Sequence, residues 1–223
     1  MCRTVNTRTG RTPRQSRGQD TRANLLQAAV SVFSESGLHG GSVSRIAKLA
    51  ESYDRMIYYY FGSKEGLFVA TLEEMYRQYN EAESSVELNL EQPVDALKKA
   101  TIFFVRYFRD HPEFVTVLNS ENLHKGKHIS QSLLANQFSK PAIGLVHRVL
   151  QAGKTKGIFR VDISPRDIYV MISAMGYFYQ SNQYTLSAFL DEPLRDPKLY
   201  DQWEAFVVDA VLRTVRTNLV ELG

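Results

Sequence analysis

Cysteine is almost missing from this chain: among 223 residues only Cys2 carries a thiol. One cysteine makes no intrachain disulfide, so the fold must rest on a packed core, and the chain suits a reducing compartment. Long apolar runs are missing as well. The longest stretch without a charged residue, 168–190, holds Gln180, Ser181, Asn182 and Gln183 in succession, which makes it a poor membrane span. The first twenty residues contain no apolar core, so no secretory signal is expected. These absences point to a cytoplasmic protein with no membrane partner. The usual signatures of catalysis and cofactor binding are also lacking: there is no GxSxG, GxGxxG, Walker loop or HExxH. No enzyme activity, catalytic residue or cofactor is expected. The closest approach to a metal set is Glu121, His124 and His128, spaced to share one helical face. Gly126 interrupts that helix, so the expected reading is a polar helix end, with no metal site.

Charge is present but unevenly spread. The formal net charge is +3, yet residues 1–19 hold Arg3, Arg8, Arg11, Arg14 and Arg17 with no acid, leaving about −2 for the rest. An Arg-rich arm with Gly10, Pro13 and Gly18 buries no core and is expected to be disordered alone. Such an arm suits phosphate.

What remains is helical throughout. Spacings of three and four among Leu25, Ala28, Ala29, Val32 and Phe33 mark a first helix, opened by Asp20 or Thr21 and closed near Gly37. Residues 42–50 form a short helix capped by Ser42, and residues 54–61 a second, stopped by Gly62. Two short helices across a tight turn make a helix-turn-helix, whose second helix can enter the DNA major groove. A helix capped by Ser63 then runs to about residue 80. Further helices are expected over 93–110, 112–124, 129–154 with a kink at Pro141, 165–190 and 198–219. The expected fold is all-α, with about nine helices: an arm (1–19), a helix-turn-helix domain (20–80) and a C-terminal helical domain (81–223).

The run Ile57-Tyr58-Tyr59-Tyr60-Phe61-Gly62-Ser63-Lys64-Glu65-Gly66-Leu67-Phe68 closely resembles the hallmark of TetR-family regulators. Ala28-Ala29, Val32-Phe33, Gly37, Ser42-Val43 and Ile46-Ala47 stand where that family has matching residues. The resemblance implies a ligand-responsive, sequence-specific DNA-binding regulator, a repressor released from its operator by a small organic effector. By the same resemblance, Ser42, Ser44, Tyr58, Tyr59 and Lys64 would meet phosphate and sugar, and Arg45 phosphate or a base edge. Asp54, Arg55 and Met56 would face bases, Arg55 being suited to a bidentate contact with guanine. The chain departs from the family at Glu51-Ser52-Tyr53, where Gly-Val-Ser is usual; Tyr53 is the candidate to replace the buried Val, and Ser52 or Asp54 to replace the cap.

The resemblance also implies a homodimer through the last two long helices. Ile168, Met171, Ile172, Met175 and Phe178 form one stripe, and Trp203, Phe206, Val207, Ala210, Val211 and Val215 the other. The middle helices would surround an effector cavity lined by Tyr107, Phe108, Glu121, His147 and Tyr177. Residues 103–162 are similar to the ligand domain of TetR-like regulators of pyrimidine utilisation. The competing reading is a helical small-molecule or metal-binding protein, or an enzyme, that keeps the helix-turn-helix only as scaffold. The lack of a catalytic constellation opposes it, and neither it nor a protein-interaction module needs the Arg-rich arm or Lys64.

Overall fold

The computed structural model describes residues 13–217, and side chains from residue 19 onward. Within them lie nine α-helices: α1 (Pro13–Gly40), α2 (Val43–Leu49), α3 (Asp54–Phe61), α4 (Lys64–Ser84), α5 (Pro93–Asp110), α6 (Pro112–Leu123), α7 (Lys140–Thr155), α8 (Pro165–Leu190) and α9 (Pro197–Val215). Arg3, Arg8 and Arg11 of the expected arm lie outside the described residues. Residues 13–19 are helical, which corrects the expectation of an arm disordered up to that point. Gly37 keeps a positive φ of 63° and kinks α1, and the helical turns resume as far as Gly40.

The chain divides into two compact units, with the boundary between Thr71 and Leu72 inside α4. In the first, Leu25, Ala29, Val32 and Phe33 of α1 pack with Ile46, Ile57, Leu67 and Phe68, all essentially buried. Phe33 meets Phe68 edge to face at 5.2 Å, a favoured geometry for rings of opposite edge and face charge.

In the second unit α5 is the central helix. Its buried face includes Leu97, Ala100, Phe104 and Phe108, and α7, α8 and α9 pack against it. Gly176 allows α8 to come close: a Cβ there would stand 3.1 Å from Phe108 and 3.3 Å from the Val105 Cα. Arg106 holds Glu204 of α9 through two bonds of 2.6 and 2.8 Å, and the Tyr200 hydroxyl donates to the Val105 carbonyl at 2.9 Å.

The largest departure from expectation is 129–139. The long helix expected there is two single 3₁₀ turns, Ile129–Gln131 and Ala135–Gln137, and α7 begins only at Lys140. The cause is Pro141, which sits in the first turn of α7: it lacks an N–H, and its ring clashes with any helix preceding it. The Ile168 and Ile172 members of the α8 stripe, and Val207, Val211 and Val215 of α9, are buried within the unit and belong to its core.

Candidate nucleic-acid interface and effector cavity

The first unit builds a helix-turn-helix. Ser42 caps α2 by accepting the Arg45 N–H at 3.3 Å, and the Ser52 N–H returns to the Ala47 carbonyl at 2.9 Å. Glu51 takes the left-handed conformation (φ 50°) that a glycine would hold without strain. The turn therefore closes despite the missing Gly, at a local steric cost. Neither expected substitution for the other two residues occurs. Tyr53 is 70% exposed and replaces no core residue, and α3 starts from Tyr53 without a side-chain cap.

Asp54 instead accepts from the Ser44 hydroxyl at 2.6 Å, joining the start of α3 to α2. The Arg55 guanidinium lies over the Tyr53 ring, 5.3 Å from its centre. Ile57 is fully buried and turns the opposite face outward, leaving Tyr58 and Tyr59 at 54% and 76% exposure. Met56 is half-buried. Ser42, Ser44, Arg45, Asp54 and Arg55 are exposed. Arg45 is held by Glu35 of α1 at 2.5 Å, and the half-buried Lys64 ammonium donates to the His39 carbonyl at 3.1 Å. The nine residues singled out in the sequence thus cluster on α2, α3 and the start of α4. Glu35, tied to Arg45, was missing from the expected set, and the tie of Asp54 to Ser44 was not foreseen. Glu35 sits ten residues before Arg45, a separation with no periodic signature.

The second unit contains a cavity of about 390 Å³. Three helices supply its walls in registers of three and four: Leu72, Tyr76 and Tyr79 from α4; Phe114, Leu118 and Glu121 from α6; Tyr169, Ser173 and Tyr177 from α8. Phe108 adds to the wall, and Gly126 and Ile129 reach it from the turn after α6. Of the five residues expected there, Phe108, Glu121 and Tyr177 line it. Tyr107 does not: it is buried one layer behind, packed on Tyr79 at 4.7 Å. His147 is exposed on α7 because Leu145, Val146, Val149 and Leu150 take that helix's buried face.

Burial keeps the phenols protonated. It pushes Tyr76 up to about 12, with Tyr169 and Tyr177 adding to the shift, and Tyr79 well above its ordinary value. Tyr177 donates to the Asn119 side-chain oxygen, which also accepts from Ser181 at 3.1 Å.

Glu121 also has a structural part. It was expected as one lining residue of the effector cavity. Its oxygens accept from the backbone N–H groups of His128 (2.8 Å) and Ile129 (2.9 Å), and one lies 2.8 Å from the His128 ring nitrogen. The carboxylate is spent on fixing the turn after α6. Ser132 adds a second tie, donating to Glu73 of α4 at 2.6 Å. Among the described residues no group of three or more His, Cys, Asp or Glu could hold a metal ion. No described helix is long and apolar enough to cross a membrane.

Comparison with known proteins agrees with both halves. Residues 25–71 match the family described as bacterial regulatory proteins, tetR family, and residues 93–211 match the tetracyclin repressor-like C-terminal domain. The HTH-type transcriptional repressor NicS of Pseudomonas putida is 45% identical over 203 residues, covering 91% of this chain and 96% of that protein. The HTH-type transcriptional regulator RutR of Escherichia coli is 25% identical, covering 86% and 89%. The solved structure of Bacillus subtilis FadR in complex with stearoyl-CoA shares the fold, with a TM-score of 0.63 at 20% identity over 87% of this chain and 99% of that one.

Proposed function

We propose that this chain, which belongs to the TetR family of DNA-binding transcriptional regulators, is a repressor released from its operator when a small organic effector occupies the α4–α6–α8 cavity. The observation that carries this reading is the use of α4. That helix begins with Lys64 beside the recognition helix α3 and continues as Leu72, Tyr76 and Tyr79, which line the cavity. A ligand that binds one arrangement of these residues better than another shifts the population toward it, by no more than its difference in affinity.

At the DNA, Arg55 reads a base edge, with Asp54 and Met56 beside it. Ser42, Ser44, Arg45, Tyr58, Tyr59 and Lys64 meet the backbone. The repressor acts as a homodimer in the cytoplasm, because two recognition helices must reach successive major grooves. Exposed Phe178, Leu190 and Phe206 beside Trp203 form an apolar groove on α8 and α9, and a second copy of this groove is the partner it fits.

The test begins with genomic fragments retained by the full-length protein, which define the operator. Operator binding is then measured with candidate effectors for wild type and for Leu118→Trp, which fills the cavity. Expected is operator binding by both proteins and release of the wild type alone. Equal release of both would move the effector elsewhere, and no preferential retention of any fragment would refute the repressor reading.

A further inference from the structure

We infer that the effector is a neutral one- or two-ring aromatic compound with a hydrogen-bond acceptor on its ring edge, docked against the Tyr79 and Ser173 hydroxyls. This rests on the assignment of the α4–α6–α8 cavity as the effector site.

Three observations restrict the ligand. The first is size and shape. About 390 Å³ admits one or two rings and lies near the lower end for small-molecule sites. The walls are ring faces and edges: Tyr79 stacks on Phe114 at 5.8 Å, Phe114 meets Tyr76 edge-on at 5.3 Å, and Phe108 meets Tyr177 edge-on at 5.8 Å. Such walls favour a flat ring, through offset and edge-to-face contact.

The second is polar demand. The Tyr79 hydroxyl and the Ser173 hydroxyl are both fully buried, and no described residue meets either in good hydrogen-bond geometry. Tyr79 is only 3% exposed. Both residues line the cavity, and the Tyr169 phenol, their common neighbour, hydrogen-bonds each of them only loosely. A buried hydroxyl without a well-formed hydrogen bond is destabilising, and a ligand acceptor reaching it recovers that loss. Because burial holds the phenols in their neutral form, they are donors across the physiological range.

The third is charge. No Lys, Arg or His is among the lining residues. The carboxylates nearby either are committed, as Glu121 is to the turn, or add negative potential, as Glu83 does to Tyr79 and Tyr169. A ligand carboxylate would be buried without a counter-charge, which is strongly unfavourable. A ligand cation would find Glu121 already engaged by the two N–H groups and the His128 ring. The neutral acceptor is what the groups present can satisfy.

The experiment uses the full-length protein and four probes at millimolar concentration: benzamide, benzoate, toluene and decanoate. Binding is read by thermal shift and by crystal soaking, in wild type, Tyr79→Phe and Ala174→Trp, the last placing bulk on an exposed lining residue. Tyr79→Phe removes a hydroxyl with no well-formed hydrogen bond, so it folds at least as well as wild type. Expected is benzamide in the cavity, its carbonyl on Tyr79, binding roughly three- to ten-fold more weakly to Tyr79→Phe. Benzoate, toluene and decanoate should bind less well. Decanoate or benzoate as the best probe, toluene equal to benzamide, no effect of Tyr79→Phe, or no ring probe bound at all would each overturn the proposed class. Failure of the site itself is separate: it would show as probe binding that Ala174→Trp leaves unchanged.

Discussion

Replacing Gly66 by Ala sets two effects of opposite sign against each other. Gly66 lies in the first turn of α4, where helix propensity alone favours Ala by about 1 kcal/mol. A Cβ at this position would stand 2.1 Å from the carbonyl oxygen of Phe61, the last residue of α3, and contacts under 3.0 Å are essentially never seen. The two must part by about 1 Å, and the obstacle is backbone, which cannot swing aside as a side-chain tip would. Overpacking of this kind typically costs about 1–3 kcal/mol. The Ser63 cap, which accepts the Gly66 N–H at 2.9 Å, is disturbed by the same movement and adds about 1 kcal/mol.

Strain therefore wins, and Gly66→Ala should destabilise by roughly 1–3 kcal/mol in urea unfolding, after the helix gain is subtracted. Gly144 in α7 supplies the control, because a Cβ there meets nothing within 4 Å. Gly144→Ala should stabilise by up to about 1 kcal/mol. The functional consequence follows from geometry. The end of α3 must move by about 1 Å, a displacement beyond the roughly 0.5 Å tolerance of a positioned site, so operator affinity should fall about tenfold or more. If Gly66→Ala stabilises as Gly144→Ala does and binds operator normally, the steric account of how α4 seats the recognition helix is wrong.

Operator affinity should fall steeply as salt rises from about 50 to 200 mM, with Lys64→Ala weakening all sequences alike and Arg55→Ala costing about 1–3 kcal/mol at one base pair. Identical specificity profiles for the two variants, measured by competition binding, would refute the division of roles. Glu35→Gln releases Arg45 from an exposed ion pair worth about 0.2–1 kcal/mol, so DNA affinity should rise by up to about five-fold with a steeper salt dependence. A loss of affinity in the same assay would show that Glu35 orients Arg45 for DNA. Glu83 is buried with an unpartnered oxygen among the described residues, and burial raises its pKa from 4.5 to about 7 against the opposing charge of Arg148 on α7, with Tyr79 and Tyr169 also facing it. The folded state holds this proton more tightly than the unfolded chain, so the contribution to stability falls as pH rises from about 4.5 to 7 and is level above. Glu83→Gln should remove that slope and add roughly 1–2 kcal/mol near pH 8 after discounting for solvent screening, as denaturation across pH checks; an unchanged slope would acquit Glu83.

Much of the fold was legible because its boundaries are set locally. Gly62 stops α3, Pro93 opens α5, His111-Pro112 separates α5 from α6, and Ser164-Pro165 opens α8, each at the residue expected. The misses occur where periodicity continues past a break. Residues 129–139 carry enough apolar positions to resemble a helix, yet Pro141 bars it and Glu121, seven and eight residues upstream, holds the start of that segment from outside. A long-range tie of this kind leaves no periodic trace.

The nine residues expected to face DNA came from the family resemblance, and the structure brings them together on α2, α3 and the start of α4. The cavity was only half legible. An aromatic stripe announces burial but not whether the ring meets a core neighbour or a void, and Tyr107 and Tyr79, 4.7 Å apart, fall on opposite sides of that distinction. What the sequence did contain, unread, was agreement among three helices. Leu72-Tyr76-Tyr79, Phe114-Leu118-Glu121 and Tyr169-Ser173-Tyr177 each present a face at spacings of three or four, and each face carries at least one polar group that a purely apolar core would exclude. Three such faces in one unit leave several hydroxyls to satisfy in a common interior. The packing satisfies Tyr177 through Asn119 and leaves Tyr79 and Ser173 with only a loose contact to the Tyr169 hydroxyl. That unmet hydrogen bonding is what an acceptor on a ligand in the proposed site would satisfy.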